Sequence, residues 1–195
     1  QEKVFPQYIG IDLLVQFQKE IMKLTILLMN KKKICIFTSS RSDYGSLLLL
    51  MKEIKKSKNF ILQIIVSGTH LSKEFGMSYK IINNDHFKIN KKIKNTSSND
   101  TYEAINKSAA ILLLKLPNIL KSLKPDILIL VGDRYETLAA AYVAHISNIP
   151  IGHIGGGEVT VGATDDAFRH SITKMSSLHF VTRKEYKRRI IQLGE

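Results

Sequence analysis

The chain has 195 residues, 44% of them hydrophobic and 24% charged, with a net charge of +12. That length suits one domain with a sizeable core and is short for two, and the balance is that of a globular protein. The positive charge raises nucleic acid or an acidic membrane surface as partners. However, the lysines are spread among Ile and Asn, with no basic block beside stacking aromatics, so no nucleic acid is expected. An anionic substrate remains well matched to such a surface. The apolar stretch 9–29 is broken by Asp12, Lys19, Glu20 and Lys23, so no membrane span of ~20 apolar residues is expected. No signal-peptide pattern is present, and the single Cys35 lies in an apolar run and can form no intrachain disulfide. A cytoplasmic, reducing setting is therefore expected. No Cys/His cluster suggests a metal.

Residues 1–28 read as an appended segment, with Ile9, Leu13, Phe17, Ile21, Leu24 and Leu28 at helical spacing. Because the chain starts at Gln1 rather than Met, a fragment of a longer polypeptide is expected. Residues 34–37 predict a first strand. It runs into Ser39-Ser40-Arg41-Ser42-Asp43, rich in helix-capping types, and then a helix over 47–54. Such a strand–loop–helix unit offers free amides and a positive dipole end to an anion, with Arg41 in the loop as a forked donor or as a solvated arginine. Residues 60–66 predict a second strand ending beside His70, and 87–93 a weak third. Residues 96–100 form a capping cluster before a long helix reaching Leu123, which Pro117 should kink or split.

The most apolar strand, 127–131, follows, then an alanine-rich helix over 136–147, and a strand starting at Pro150 and ending at His153-Ile154. A helix over 165–177, a strand over 178–181 and a basic helix over 183–193 complete the chain. Strand and helix alternate without a hairpin signal. The economical fold is α/β, a Rossmann-like parallel sheet with helices on both faces.

Two apolar runs, 126–131 and 149–154, each end abruptly in glycine and ionisable residues, as buried parallel strands do where they open into a site. Ligands of open α/β sheets bind beyond those strand ends. Asp133, Arg134, Glu136, His153, Glu158, Asp165, Asp166, Arg169 and His170 are therefore candidates to meet. Asp133 either caps the next helix or faces solvent, a cation or a ligand, since a carboxylate is not left unpaired in a core. Gly155-Gly156-Gly157 lets a ligand approach the main chain; it is neither GxGxxG nor a P-loop. Helical spacing makes Asp165 a neighbour of Arg169, and Asp166 of His170. A carboxylate cluster without cysteines suits acid/base work by carboxyl groups with separated pKa values.

The segments Gly-Asp-Arg-Tyr-Glu, Gly-Gly-Glu-Val-Thr, Gly-Ala-Thr-Asp-Asp and Arg-His-Ser-Ile-Thr-Lys, with the opening Ser-Arg-Ser-Asp-Tyr-Gly, carry a resemblance. Together they resemble the hydrolysing UDP-N-acetylglucosamine 2-epimerases of sialic- and legionaminic-type acid synthesis. The likeness covers residues 31–195, the first domain of that family's two Rossmann-like domains of the GT-B type. It implies that residues 29–195 are that domain, and that the family's UDP-holding second domain, with a histidine it supplies, has no counterpart here. Non-hydrolysing relatives have a glutamate where this chain has Gly155, which favours the hydrolysing branch.

The resemblance implies C2 deprotonation of a UDP-hexosamine, loss of UDP, and addition of water to release the manno-configured sugar. Asp133, Glu158 and Asp165 would be the acid/base carboxylates, with Arg169 and His170 orienting them or the sugar. Arg41 would sit near the diphosphate, and His70, Arg134, Glu136, Gly156, Gly157 and Asp166 would line the substrate. No metal, nicotinamide or other cofactor is implied, and a homo-oligomer is expected. The substrate is UDP-N-acetylglucosamine or a UDP-2,4-diacetamido-trideoxyhexose; the residues do not separate them. A GT-B glycosyltransferase fragment, or a basic nucleotide- or RNA-binding module, are the other readings, though neither needs the carboxylate cluster.

Overall fold

The computed structural model describes residues 31–95, 101–160 and 164–195. The expected helix within 1–28, the capping cluster at 96–100 and the Gly162-Ala163 part of the third motif lie outside them. Six strands are all parallel: β1 (Lys32–Thr38), β2 (Phe60–Val66), β3 (Lys91–Lys92), β4 (Ile127–Val131), β5 (Ile151–Ile154) and β6 (Leu178–Phe180). Their order is β3-β2-β1-β4-β5-β6. The chain winds outward from β1 to one edge, then crosses back to β4 and winds to the other. The strand order therefore reverses between β1 and β4, and a crevice opens above their carboxyl ends.

Helices α1 (Arg41–Lys56) and α2 (Tyr79–Asn84) follow β1 and β2. The helices α3 (Tyr102–Leu123), α4 (Tyr135–Ile146), α5 (Asp165–Met175) and α6 (Lys184–Gln192) follow β3 to β6. The alternation of side chains along a strand divides the core in two. Cys35, Phe37, Leu128 and Leu130 pack with Leu112, Leu116 and Leu120 of α3 and with the alanines of α4. Ile36, Ile64 and Ile129 pack with Tyr44, Leu47 and Met51 of α1 on the opposite face. Strands covered on both faces need unbroken apolar sequence, which is why 127–131 reads so cleanly. Burial pushes the Cys35 thiol up to about 12, so it is a packing group rather than a nucleophile. Helix α4 is wedged between α3 and α5, and its alanines allow that close approach.

Three local expectations are corrected. Helix α1 begins at Arg41, not near residue 47, because Ser40 and Asp43 form a reciprocal capping box. The weak strand over 87–93 shrinks to Lys91–Lys92. Phe87 and Ile93 are buried anchors, and the Asn90 side chain takes a ladder position by accepting from the Ile64 amide at 2.9 Å. Helix α3 runs unsplit through Pro117, which lies on the exposed side. There the carbonyl that loses its partner, on partly exposed Leu113, can turn to water. No described helix is long and apolar enough to cross a membrane.

Candidate active site

The site is built on the loops after β4 and β5 and on the first turns of α5. Gly132 leaves β4 with φ +75°, its amide bonded to the Ile154 carbonyl at 3.0 Å, so the β4 and β5 exits are tied together. Asp133 does not cap α4; the cap position belongs to Arg134, without a side-chain bond. The Asp133 carboxylate instead accepts from Arg169, settling its two readings in favour of a cation. Arg169 is 5% exposed and spends its guanidinium on four groups: Asp133, Asp166 Oδ1 at 2.8 Å, the Glu158 carbonyl at 3.0 Å and Thr160 Oγ1 at 3.0 Å. One side chain from α5 thus holds the loops after β4 and β5 together, as a forked donor can and an ammonium cannot.

The helical pairing is as expected for Asp166 and His170 but not for Asp165 and Arg169. Arg169 takes Asp166, three residues away, rather than Asp165, and Asp166 also faces His170 at 3.4 Å. Asp165 is exposed, and neither its carboxylate nor that of Glu158 has a partner among the described residues. Gly155 and Gly157 adopt φ of +86° and +75°. A Cβ on Gly155 would lie 3.9 Å from the Glu158 carboxyl carbon and 3.9 Å from the Gly132 amide, so Glu158 stands over the glycine turn beside the start of the Asp133 loop. A Cβ on Gly157 would run into the Tyr186 carbonyl of α6. Gly157→Ala should therefore lower stability by about 2 kcal/mol or more. Gly45→Ala, in α1 with nothing within 4 Å, should raise it by roughly 1 kcal/mol. Urea unfolding of the two variants checks both signs.

Next to Asp133, Arg134 forms a two-pronged pair with Glu136, both contacts at 3.1 Å. Glu136 is fully buried, with Gly68 after β2 kept bare where a Cβ would meet its Oε1 at 3.1 Å. Glu136 therefore faces Arg134 rather than solvent. Burial alone would lower the Arg134 guanidinium, but the bonded Glu136 carboxylate more than offsets this and holds it above its ordinary value. At the α1 terminus Arg41 is exposed and helical. The anion position there is taken by the chain's own Asp43, which accepts from the Ser39 and Ser40 amides at 3.0 and 2.9 Å. The Ser-x-x-Asp spacing was the available signal for that occupancy.

His70 does not present a free nitrogen to the crevice. It is fully buried, with Nε2 at 2.9 Å from the Thr38 hydroxyl and Nδ1 at 2.8 Å from that of Ser78. His153 is equally buried, with Nε2 at 2.8 Å from the Gly132 carbonyl and Nδ1 at 3.2 Å from Thr173 Oγ1. Burial lowers both imidazoles to about 4. Both are neutral in the fold but ordinary when unfolded. The unfolded chain therefore binds more protons between pH ~6.5 and ~4, and stability is lost as pH falls through that window. The urea midpoint at pH 5 should lie below that at pH 7, and His70→Asn should reduce the difference. Among the described residues, no three His, Cys, Asp or Glu side chains group as a metal site requires.

Residues 52–195 match the protein family described as UDP-N-acetylglucosamine 2-epimerase. The chain belongs to that family. Among its curated relatives, the GDP/UDP-N,N'-diacetylbacillosamine 2-epimerase (hydrolyzing) of Campylobacter jejuni is 46% identical over 167 residues. That match covers 86% of this chain and 43% of the relative. The UDP-N,N'-diacetylbacillosamine 2-epimerase (hydrolyzing) of Legionella pneumophila is 37% identical, covering 84% and 43%. The chain thus spans less than half the length of the curated 2-epimerases it matches. The crystal structure of UDP-GlcNAc 2-epimerase from Neisseria meningitidis bound to UDP-GlcNAc superposes with a TM-score of 0.72 at 20% identity, covering 84% of this chain and 44% of that one. The Rossmann-like fold is therefore that of GT-B-type 2-epimerases.

Proposed function

We propose that this chain forms the carboxylate-bearing domain of a hydrolysing 2-epimerase acting on a UDP-activated N-acetylhexosamine, with the UDP cleft completed by a second domain. The observation that carries the reading is the pairing of an Arg169-held Asp133 with a Glu158 carboxylate free of described partners, on adjoining strand-end loops. Similarity to two hydrolyzing 2-epimerases supports the branch, as does Gly155 where non-hydrolysing relatives carry a glutamate.

In the proposed reaction a carboxylate takes the C2 proton, and the C1–O bond breaks so that UDP leaves with the electron pair. Water then adds at C1 of the resulting glucal, and C2 is reprotonated from the opposite face. Sugar nucleotide and water thus become free manno-configured sugar and UDP. Asp133, Glu158 and Asp165 supply the acid/base groups in reach of the strand-end crevice. Arg134, with its fork fixed by Glu136, and exposed Arg41 are the cations available to the leaving diphosphate. Incubation of the full-length protein with UDP-N-acetylglucosamine, and separately with the UDP-2,4-diacetamido-trideoxy sugar, should release UDP from one of them. Performed in deuterated water, it should leave deuterium at C2 of the free sugar. Absence of UDP release from both sugars would sink the proposal.

A further inference from the structure

His153 lies outside the carboxylate cluster, yet it closes a ring of contacts behind it. The Gly132 carbonyl can only accept, so His153 Nε2 carries the proton, at 2.8 Å. The other nitrogen of the neutral ring can then only accept, and it lies 3.2 Å from the Thr173 hydroxyl oxygen, whose single proton goes either to it or to the Arg169 carbonyl at 2.9 Å. The ring runs from the backbone next to Asp133, through His153 and Thr173, to the backbone of Arg169, and returns by the Arg169–Asp133 ion pair. Gly156 lies against this seam: a Cβ there would come within 3.1 Å of His153 Nδ1 and 3.0 Å of Thr173 Oγ1. The middle glycine of the triplet is thereby explained by the buried seam, without any ligand.

We propose that His153 is a positioning residue, a neutral imidazole that fixes the Gly132 carbonyl against α5 and so sets where Asp133 meets Arg169. The inference rests on the epimerase reading above. A carboxylate displaced by even an ångström loses much of its rate advantage while substrate still binds, because binding uses groups elsewhere in the cleft.

The test uses the full-length protein with whichever UDP-sugar the wild type hydrolyses. His153→Phe keeps the volume and removes the donor; kcat should fall at least tenfold with KM within about twofold. His153→Gln, whose amide can still donate to Gly132, should recover most of that loss. Thr173→Val should be less harmful in the His153→Phe background than in the wild type, since the ring is already open. Wild-type kcat in His153→Phe, or a Phe-sized loss in a folded His153→Gln, would overturn the proposal while leaving the epimerase reading intact. A wild type that releases no UDP removes both. Should His153→Phe not fold, nitrogen-15 shifts of the wild-type imidazole at pH 6 decide. A neutral ring protonated on Nε2 supports the proposal; an imidazolium or the opposite tautomer refutes it.

Discussion

Replacing Glu158 by glutamine is expected to cut UDP release by roughly 100- to 10,000-fold, the range general acid–base catalysis supplies, with little change in stability. The side chain has no ion pair or hydrogen bond among the described residues, so the amide leaves nothing stranded. Its place over the glycine turn is sterically unaltered. Loss of rate without loss of stability separates a reacting group from a structural one. Initial rates of UDP release, C2 deuterium incorporation and a urea melt of the same preparation measure all three quantities. If Glu158→Gln turned over within threefold of wild type, Glu158 would leave the mechanism, and Asp133 and Asp165 would remain as its carboxylates.

Arg169→Met should behave oppositely, losing both. The guanidinium is buried and bonded to Asp133, Asp166, Thr160 and the Glu158 carbonyl. Removing one partner of a buried pair costs about 3–5 kcal/mol. The lower end, about 3 kcal/mol, is expected here because the stranded Asp133 and Asp166 side chains are 21% and 27% exposed and can recruit water. Turnover should also collapse, since the loops carrying Asp133 and Glu158 would lose the side-chain tether they share, with only the contacts at Gly132 left between them. Arg169→Lys makes the argument sharper. It keeps the charge but not the planar fork, and so should recover part of the stability and little of the rate. The denaturation midpoint and kcat of the two variants, set side by side, decide whether the charge or the geometry matters.

Much of this molecule is legible along the chain. Unbroken short apolar runs such as 127–131, rich in β-branched residues and bounded by turn residues, read as strands covered on both faces, and the alternation with helices leaves parallel pairing as the compact solution. Glycine and charge immediately after such a run mark the edge where a site forms, because neither can stay in the core unpartnered. Local chemistry was less forthcoming where two local rules compete. The capping box brought α1 forward to Arg41, and a proline on the exposed side of α3 left the helix whole.

Sequence by itself determined the parallel α/β fold, the strand-end position of the candidate site residues, and the family to which the motifs belong. Each of these is written in short-range patterns of size, polarity and backbone freedom. Only the tertiary structure decided partnership. Arg169 was placed by helical spacing beside Asp165, but it turns to Asp133, 36 residues earlier, and to Asp166. His70 and His153 look alike as strand-end histidines, yet one is enclosed by Thr38 and Ser78 and the other underpins Gly132. The physical reason is that periodicity fixes which way a side chain leaves its own helix or strand. Which group it then meets depends on how the strands are ordered in the sheet, and that order sets β4 beside β5 and α5 against β5.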